Sequence, residues 1–225
     1  SLRGISSKPI KKKGGQPSNR QYQLSAEQKE ALVGIILGDG FLERAKPTHN
    51  TRLAIDQGYP EKEEYVNSLF ELFKPMLSFD LEKPKVYAMK PHKKTGNVYQ
   101  SIRFKTLVHP CLNQYHDLFY KNNKKVVPAN LEELLTARGL AYWIMDDGSK
   151  TIHGQTKIHT ESFTKTEVEL IQSVLKQKFN LNTRIEQRDK NKRKDQWIIY
   201  IQVTQDILLK DIVGPYMHKS MLYKI

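Results

Sequence analysis

The chain has 225 residues, 38% of them apolar, which is enough for one large core or two small ones. Lys and Arg total 37 against 24 Asp and Glu, a formal charge of +13 that points to a polyanionic partner. No apolar run is long enough for a membrane span, and Cys111, the only cysteine, excludes an internal disulfide or a cysteine zinc knuckle while fitting a reducing compartment.

Residues 1–23 read as a basic, flexible N-terminal arm, because Lys8, Lys11, Lys12, Lys13 and Arg20 stand among Gly, Ser and Pro without apolar periodicity. Such a stretch is either an arm that tracks phosphates or a minor groove, or a remnant of a targeting or cloning sequence. Helical periodicity begins at Ser25, an N-cap with Gln28 three places on, and runs through Ala31, Leu32, Ile35 and Ile36 to Gly38-Asp39-Gly40, with Gly40 suited to a left-handed helix terminus. An alternating strand over Thr51 to Gln57 leads to an amphipathic helix that buries Tyr65, Val66, Leu69, Phe70 and Phe73. A hairpin with arms Lys85 to Lys90 and Val98 to Lys105 and a tip at 91–97 precedes a helix over about Pro110 to Tyr120.

From Ala137 the series returns. A helix through Leu140, Ala141, Trp143 and Ile144 ends at Asp147-Gly148, and a short strand covers Gln155 to Glu161. A helix with Val168, Ile171, Val174, Leu175 and Phe179 on its buried face follows, then a hairpin from Thr183–Gln187 to Trp197–Val203 with a basic tip. The order α-β-β-α-β-β-α thus occurs twice, and divergent duplication with a linker near Val126 to Asn130 explains it. The expected architecture is α+β: repeats at 24–127 and 128–225 related by a pseudo-two-fold axis, two twisted antiparallel sheets, and two motif helices packed at their interface. The seven histidines lack metal-ligand spacing.

Asp39 and Asp147 sit at helix C-termini, where the macrodipole disfavours a carboxylate by about 0.3–1 kcal/mol. A divalent cation would favour them there, since hard Mg²⁺ binds through one or two carboxylates, water and phosphate. One Asp-Gly after a helix is more often a turn than a ligand; two copies at equivalent places reverse that expectation. With the helices side by side, and Gly34 and Gly38 allowing close approach, the acids would converge on a two-metal centre for in-line phosphodiester hydrolysis, helped by nearby lysines.

Leu32-Val-Gly-Ile-Ile-Leu-Gly-Asp-Gly40 and Leu140-Ala-Tyr-Trp-Ile-Met-Asp-Asp-Gly148 resemble the two signature helices of LAGLIDADG homing endonucleases, over about residues 25–225. The single-chain, intron-encoded members are the most similar, also through Asn122-Asn-Lys-Lys125. The resemblance implies that Asp39 and Asp147 bind metal together with the backbone of Gly38 and Asp146, and that two or three Mg²⁺ ions are shared, with Mn²⁺ or Ca²⁺ substituting in binding. The Asp146 side chain is then not a ligand. It further implies catalytic roles for Lys125 and Lys224, and for Gln57 and Glu161, neighbours of Asp56 and Thr160, in positioning water. The implied activity is cleavage of one phosphodiester per strand of a long non-palindromic duplex, leaving short 3′ overhangs, by a monomer of organellar, mitochondrial location. Alternatives on the same scaffold are an intron RNA maturase and a non-catalytic DNA-binding protein. Motif position six, usually acidic, is Leu37 and Met145; position three is Gly34 and Tyr142, and position seven is Gly38 and Asp146, so the helix interface is expected to be asymmetric.

A twisted antiparallel ribbon fits the DNA major groove, with alternate residues facing the bases. The candidates are Arg52, Lys85, Tyr87, Gln100, Arg103 and Lys105 in the first repeat, and Lys157, Arg184, Glu186, Gln187 and Gln202 in the second. The hairpin tips, with Lys93 and Lys94 in one and Arg188, Lys190, Lys192, Arg193 and Lys194 in the other, are expected to grip phosphates. A one-residue slip in strand register would invert the base-facing set.

Overall fold

In the computed structural model, backbone is described for residues 22–189 and 193–225. Most of the expected N-terminal arm, together with Lys190 and Lys192, lies outside the described residues, as do the side chains of Arg193 and Lys194.

Helix α1 (Ala26–Leu37) begins at Ser25 with a full capping box: the Ser25 hydroxyl accepts from Gln28 N, and the Gln28 side chain returns to Ser25 N. Strands β1 (Phe41–Glu43) and β2 (Arg52–Tyr59) follow, the two strands that the expected order places here; the first carries no residues assigned from sequence, because three residues are too few for a readable alternation. Helix α2 (Glu63–Phe73) buries the five expected apolar residues. Strands β3 (Lys85–Ala88) and β4 (Gln100–Lys105) complete a sheet of order β1-β2-β4-β3. After α3 (Asn113–Phe119) comes a small hairpin, β5 (Tyr120–Lys121) and β6 (Lys124–Lys125), whose Asn122 and Asn123 at φ 51° and 60° form the left-handed two-residue turn that, after glycine, asparagine adopts readily.

The expected linker carries no long element; Val127 N donates to Glu167 Oε1 at 2.9 Å, tying the crossing to the second repeat. After one turn, α4 (Leu131–Leu134), helix α5 (Ala137–Asp147) starts at the Thr136 cap. Strands β7 (Gly148–Lys150) and β8 (Thr156–His159), helix α6 (Lys165–Phe179), strands β9 (Thr183–Asp189) and β10 (Arg193–Ile201), and helix α7 (Asp206–Val213) follow. The second sheet has the order β7-β8-β10-β9, the same order as the first once the strands are matched. Two four-stranded antiparallel sheets in matching sequence are what duplication predicts.

The repeats join through α1 and α5. A Cβ on Gly34 would stand 1.9 Å from Gly139 O, so only glycine lets the helices meet backbone to backbone there, and one on Gly38 would stand 2.5 Å from Asp146 Cβ, in the space that the Asp146 side chain fills. At the opposite end Arg138 Nη1 reaches Glu27 Oε1 at 2.7 Å and Thr136 donates to Glu30 Oε2 at 3.2 Å, which fixes the crossing across the repeats. Gly40 corrects an expectation: it is not left-handed, and its need for glycine is space, since a Cβ would fall 2.3 Å from Ile35 Cγ2 where the chain turns off the helix. One buried cluster spans both repeats, with Tyr65, Phe70, Phe73, Phe119 and Trp143 among its largest members. Among the described residues no helix is long and apolar enough to cross a membrane.

Candidate active site and nucleic-acid face

Because α1 and α5 pack through glycine, their C-termini end side by side, and Asp39 and Asp147 arrive together with Asp146. Each repeat brings its last lysine beneath its own motif helix. Lys125 Nζ, carried by the small hairpin, donates to Gly38 O at 2.8 Å and Gly40 O at 3.0 Å. Lys224 Nζ, from the C-terminal 3₁₀ segment Lys219–Lys224, donates to Met145 O at 2.6 Å and Asp146 O at 3.0 Å. Both therefore place a cation at the negative end of a helix dipole. Neither is the solvated lysine that the sequence alone would suggest: Lys224 is only 5% exposed. Burial pulls both amines below the usual lysine range, Lys224 to about 8.

Two further side chains had no signal in the sequence. Asp146, at motif position seven, fills the space left by Gly38 and accepts from Asp39 N at 3.2 Å, Gln57 Nε2 at 3.2 Å and Tyr65 Oη at 3.0 Å, all in the other repeat. Lys62, at the start of α2, donates to Gln57 Oε1 at 2.6 Å, to Asp39 Oδ2 at 3.1 Å and, at the long limit, to Asp146 O at 3.4 Å. In the sequence it stands among Glu61, Glu63 and Glu64 and reads as one charge of a solvated helix start. Its direction could be known only from where β2 releases the chain.

The acids are electrostatically coupled. Burial, then the charges of Asp39 and Asp146, push the Asp147 carboxyl up to about 7, and burial followed by the charge of Asp39 raises Asp146 likewise. Burial and the Asp146 charge push Tyr65 well above the usual phenol range, so it serves Asp146 as a donor.

No group of three or more His, Cys, Asp or Glu among the described residues is arranged to hold a metal ion alone. The donors present are hard oxygens, the carboxylates of Asp39 and Asp147 with the carbonyls of Gly38 and Asp146. Among the described residues nothing donates a hydrogen bond to the Asp147 carboxylate. Two charge-coupled carboxylates with two backbone carbonyls offer hard oxygens to a cation that keeps water and takes its remaining ligands from a phosphate, as Mg²⁺ does.

The second expected water-positioning residue is not brought here. Continuing the β1–β2 register by one residue sets Gly40 against Ile55, as Gly148 is set against Ile158, so Gln57 matches Thr160 rather than Glu161. Thr160 is buried and donates to Trp197 O at 2.7 Å. Glu161 instead turns to the outer sheet face, where His159 Nδ1 and Arg188 Nη1 lie at 3.1 and 2.9 Å from its Oε1.

Register also fixes the outer faces. Ile55, Gln57, Ile102 and Phe104 point to the helices, so Arg52, Asp56, Lys85, Tyr87, Arg103 and Lys105 share the open face of the first sheet. Lys157, Arg184, Glu186, Tyr200 and Arg188 share that of the second, and Gln202 continues the same alternation one residue past β10. Two candidates fall on the wrong side: Gln100 pairs with Ala88 in the alternation of Ile102, and Gln187 pairs with Trp197, whose alternation includes the buried Ile199 and Ile201. Lys93 and Lys94 lie at the exposed turn beyond β3.

A model of the LAGLIDADG DNA endonuclease family matches residues 29–208. A probable intron-encoded endonuclease 1 of Wickerhamomyces canadensis is 32% identical over 209 residues, covering 90% of this chain and 85% of the relative. Cytochrome b mRNA maturase bI2 of Saccharomyces cerevisiae is 31% identical over 201 residues, which are 86% of this chain but 46% of that maturase. The structure of the homing endonuclease I-WcaI bound to its DNA recognition sequence matches with a TM-score of 0.82 and 30% identity over 94% of each chain.

Proposed function

The chain belongs to the LAGLIDADG DNA endonuclease family, and from that footing we propose that it is a site-specific, Mg²⁺-dependent endonuclease cutting one phosphodiester in each strand of a long, asymmetric duplex, with short 3′ overhangs. The observation that carries this reading is the meeting of Asp39 and Asp147, from separate repeats, in one charge-coupled cluster bordered by Lys62, Lys125 and Lys224. Both acids come from one polypeptide, so a monomer completes the site.

Asp39 and Asp147 would hold the metal, which when bound activates water and offsets charge on the phosphate. Lys125 and Lys224 hold cations beneath the helix ends and lessen the mutual repulsion of the acids. Gln57 is oriented at both ends, its amide nitrogen by Asp146 and its oxygen by Lys62, so it offers a fixed polar group beside Asp39. Lys62 adds a positive charge beside Asp39 with no counterpart across the pseudo-axis. The outer sheet faces read base edges and the basic tips hold phosphates, with the repeats divided at 127/128.

The test is selection from a randomised duplex library for Mg²⁺-dependent cleavage, with Asp39→Asn in parallel. Enrichment of one non-palindromic sequence cut by wild type alone supports the reading; no enrichment, or equal cutting by Asp39→Asn, rejects it. Relatives named as cytochrome b mRNA maturases, from two yeasts at 31% and 30% identity, support a second reading as an intron RNA splicing factor and a mitochondrial location. Purified protein that restores splicing without cutting DNA would favour that reading.

A further inference from the structure

The open sheet faces are less basic than the chain's charge of +13 suggests, because Arg52, Arg103, Lys105, Arg184 and Arg188 each lie against a carboxylate. Glu43 on β1 takes Arg52 Nε at 2.6 Å through one carboxylate oxygen and Lys105 Nζ at 2.7 Å through the other, so one acid engages cations from two neighbouring strands. Asp56 holds Arg103 Nε at 2.9 Å while Arg103 also lies 5.2 Å over the Tyr87 ring. The second sheet repeats the device with other residues, Glu186 on Arg184 at 2.8 Å and Glu161 on Arg188 at 2.9 Å. Burial works against ionisation of Glu43, but its bonds from Lys105 and Arg52 prevail and keep its carboxyl below the usual range.

These pairs are partly exposed, with Arg52 and Lys105 at 43% and 45%, and pairs of that kind add little to folding stability. Their consequence lies in recognition. A phosphate of arbitrary DNA must take a cation away from a carboxylate already at contact distance, and that carboxylate then repels the phosphate. A base edge can satisfy both partners at once, since arginine bonds guanine O6 and N7 and a carboxylate accepts from cytosine N4. Two basic segments away from these faces, the first hairpin tip at 91–97 and residues 8–20, hold no acidic residue in sequence.

We propose that Glu43, seconded by Asp56, is a discrimination residue: by engaging Arg52 and Lys105, as Asp56 engages Arg103, it suppresses binding to duplex of arbitrary sequence, a repulsive element that leaves binding dependent on a matching base pattern. This rests on the endonuclease reading above. The experiment measures anisotropy of a labelled random-sequence duplex of about 30 base pairs against KCl concentration, for wild type, Glu43→Gln, Asp56→Asn and, as a control of equal charge change away from the face, Glu71→Gln; the length covers several phosphate contacts on each half. Glu71, on the exposed side of α2, pairs with Lys74 just past the helix end. Glu43→Gln is expected to tighten random-duplex binding roughly fivefold and to steepen the log–log salt slope by about 0.9 for each cation that gains a phosphate, with Asp56→Asn doing the same more weakly. The idea fails if Glu43→Gln moves affinity and slope no more than Glu71→Gln while wild type still binds and cleaves. If wild type shows no salt-dependent duplex binding at all, the endonuclease reading falls and this inference falls with it. Matching thermal melts of the four proteins exclude a folding effect.

Discussion

On a common strand register, Gln57 of the first repeat matches Thr160 of the second, and the lysines at the start of the next helix are Lys62, its N-cap, and Lys165, its first residue. In the first repeat the pair turns inward: Gln57 is buried, and Lys62, 19% exposed, joins it to Asp39. In the second the matching residues turn away. Thr160 bonds the Trp197 carbonyl, and Lys165, 57% exposed, lies 5.2 Å from the Trp197 ring and 3.5 Å from Glu169. The source of the difference is Asp146, which reaches from the second repeat into the first, while Gly38, at the same motif position, has no side chain to reach back. Duplicated frames can therefore keep two acids and two capping lysines equivalent while furnishing the ground beside them differently.

The largest expected effect treats the repeats alike. Asp39→Asn and Asp147→Asn should each lower the single-turnover rate on the selected duplex by about 10³-fold or more, because each removes a carboxylate held for the metal. Duplex binding measured in parallel should persist; a large change from only one of the two would show that the acids are not equivalent.

Next in size is the helix interface, where the motif copies differ at position three. Gly34→Ala should cost about 3 kcal/mol or more in denaturant unfolding, because a methyl group meets backbone that cannot yield. Tyr142→Phe, at the matching position, should cost less than about 1 kcal/mol, since Tyr142 is only partly buried and packs mainly through its ring.

The lysine comparison is sharper and smaller. Lys62→Met should slow single-turnover cleavage by roughly 10²-fold, whereas Lys165→Met should change it by less than about 2-fold. Equal losses would mean that the asymmetry beside the acids has no chemical consequence.

The smallest expected effect concerns pH. Asp146 and Asp147 titrate near 7 when folded but near 4 when unfolded, so between those values the folded state binds more protons and stability falls as pH rises. Metal-free protein should melt several degrees lower at about pH 8 than at about pH 5, and millimolar Mg²⁺ should restore more of the difference at the higher pH, where the carboxylates are ionised. Calorimetry checks both, and Asp147→Asn should flatten the profile.

Periodicity, capping residues and the repeated Asp-Gly ends determined a great deal from sequence alone: two α-β-β-α-β-β-α units, two helices carrying Asp39 and Asp147, and the apolar faces of α2 and α6. These are local patterns, set by the 3.6- and 2-residue periods and by turn chemistry within a few positions. Tertiary structure decided what depends on distant chain segments. Gln100 and Gln187 fell on the helix side because face is set by pairing with a neighbouring strand, and Glu161 gave way to Thr160 for the same reason. No local pattern marks the Asp146 side chain, Lys62 or the burial of Lys224, because their surroundings exist only once glycine brings the two helices into contact and the ends of both repeats close around the same helix termini.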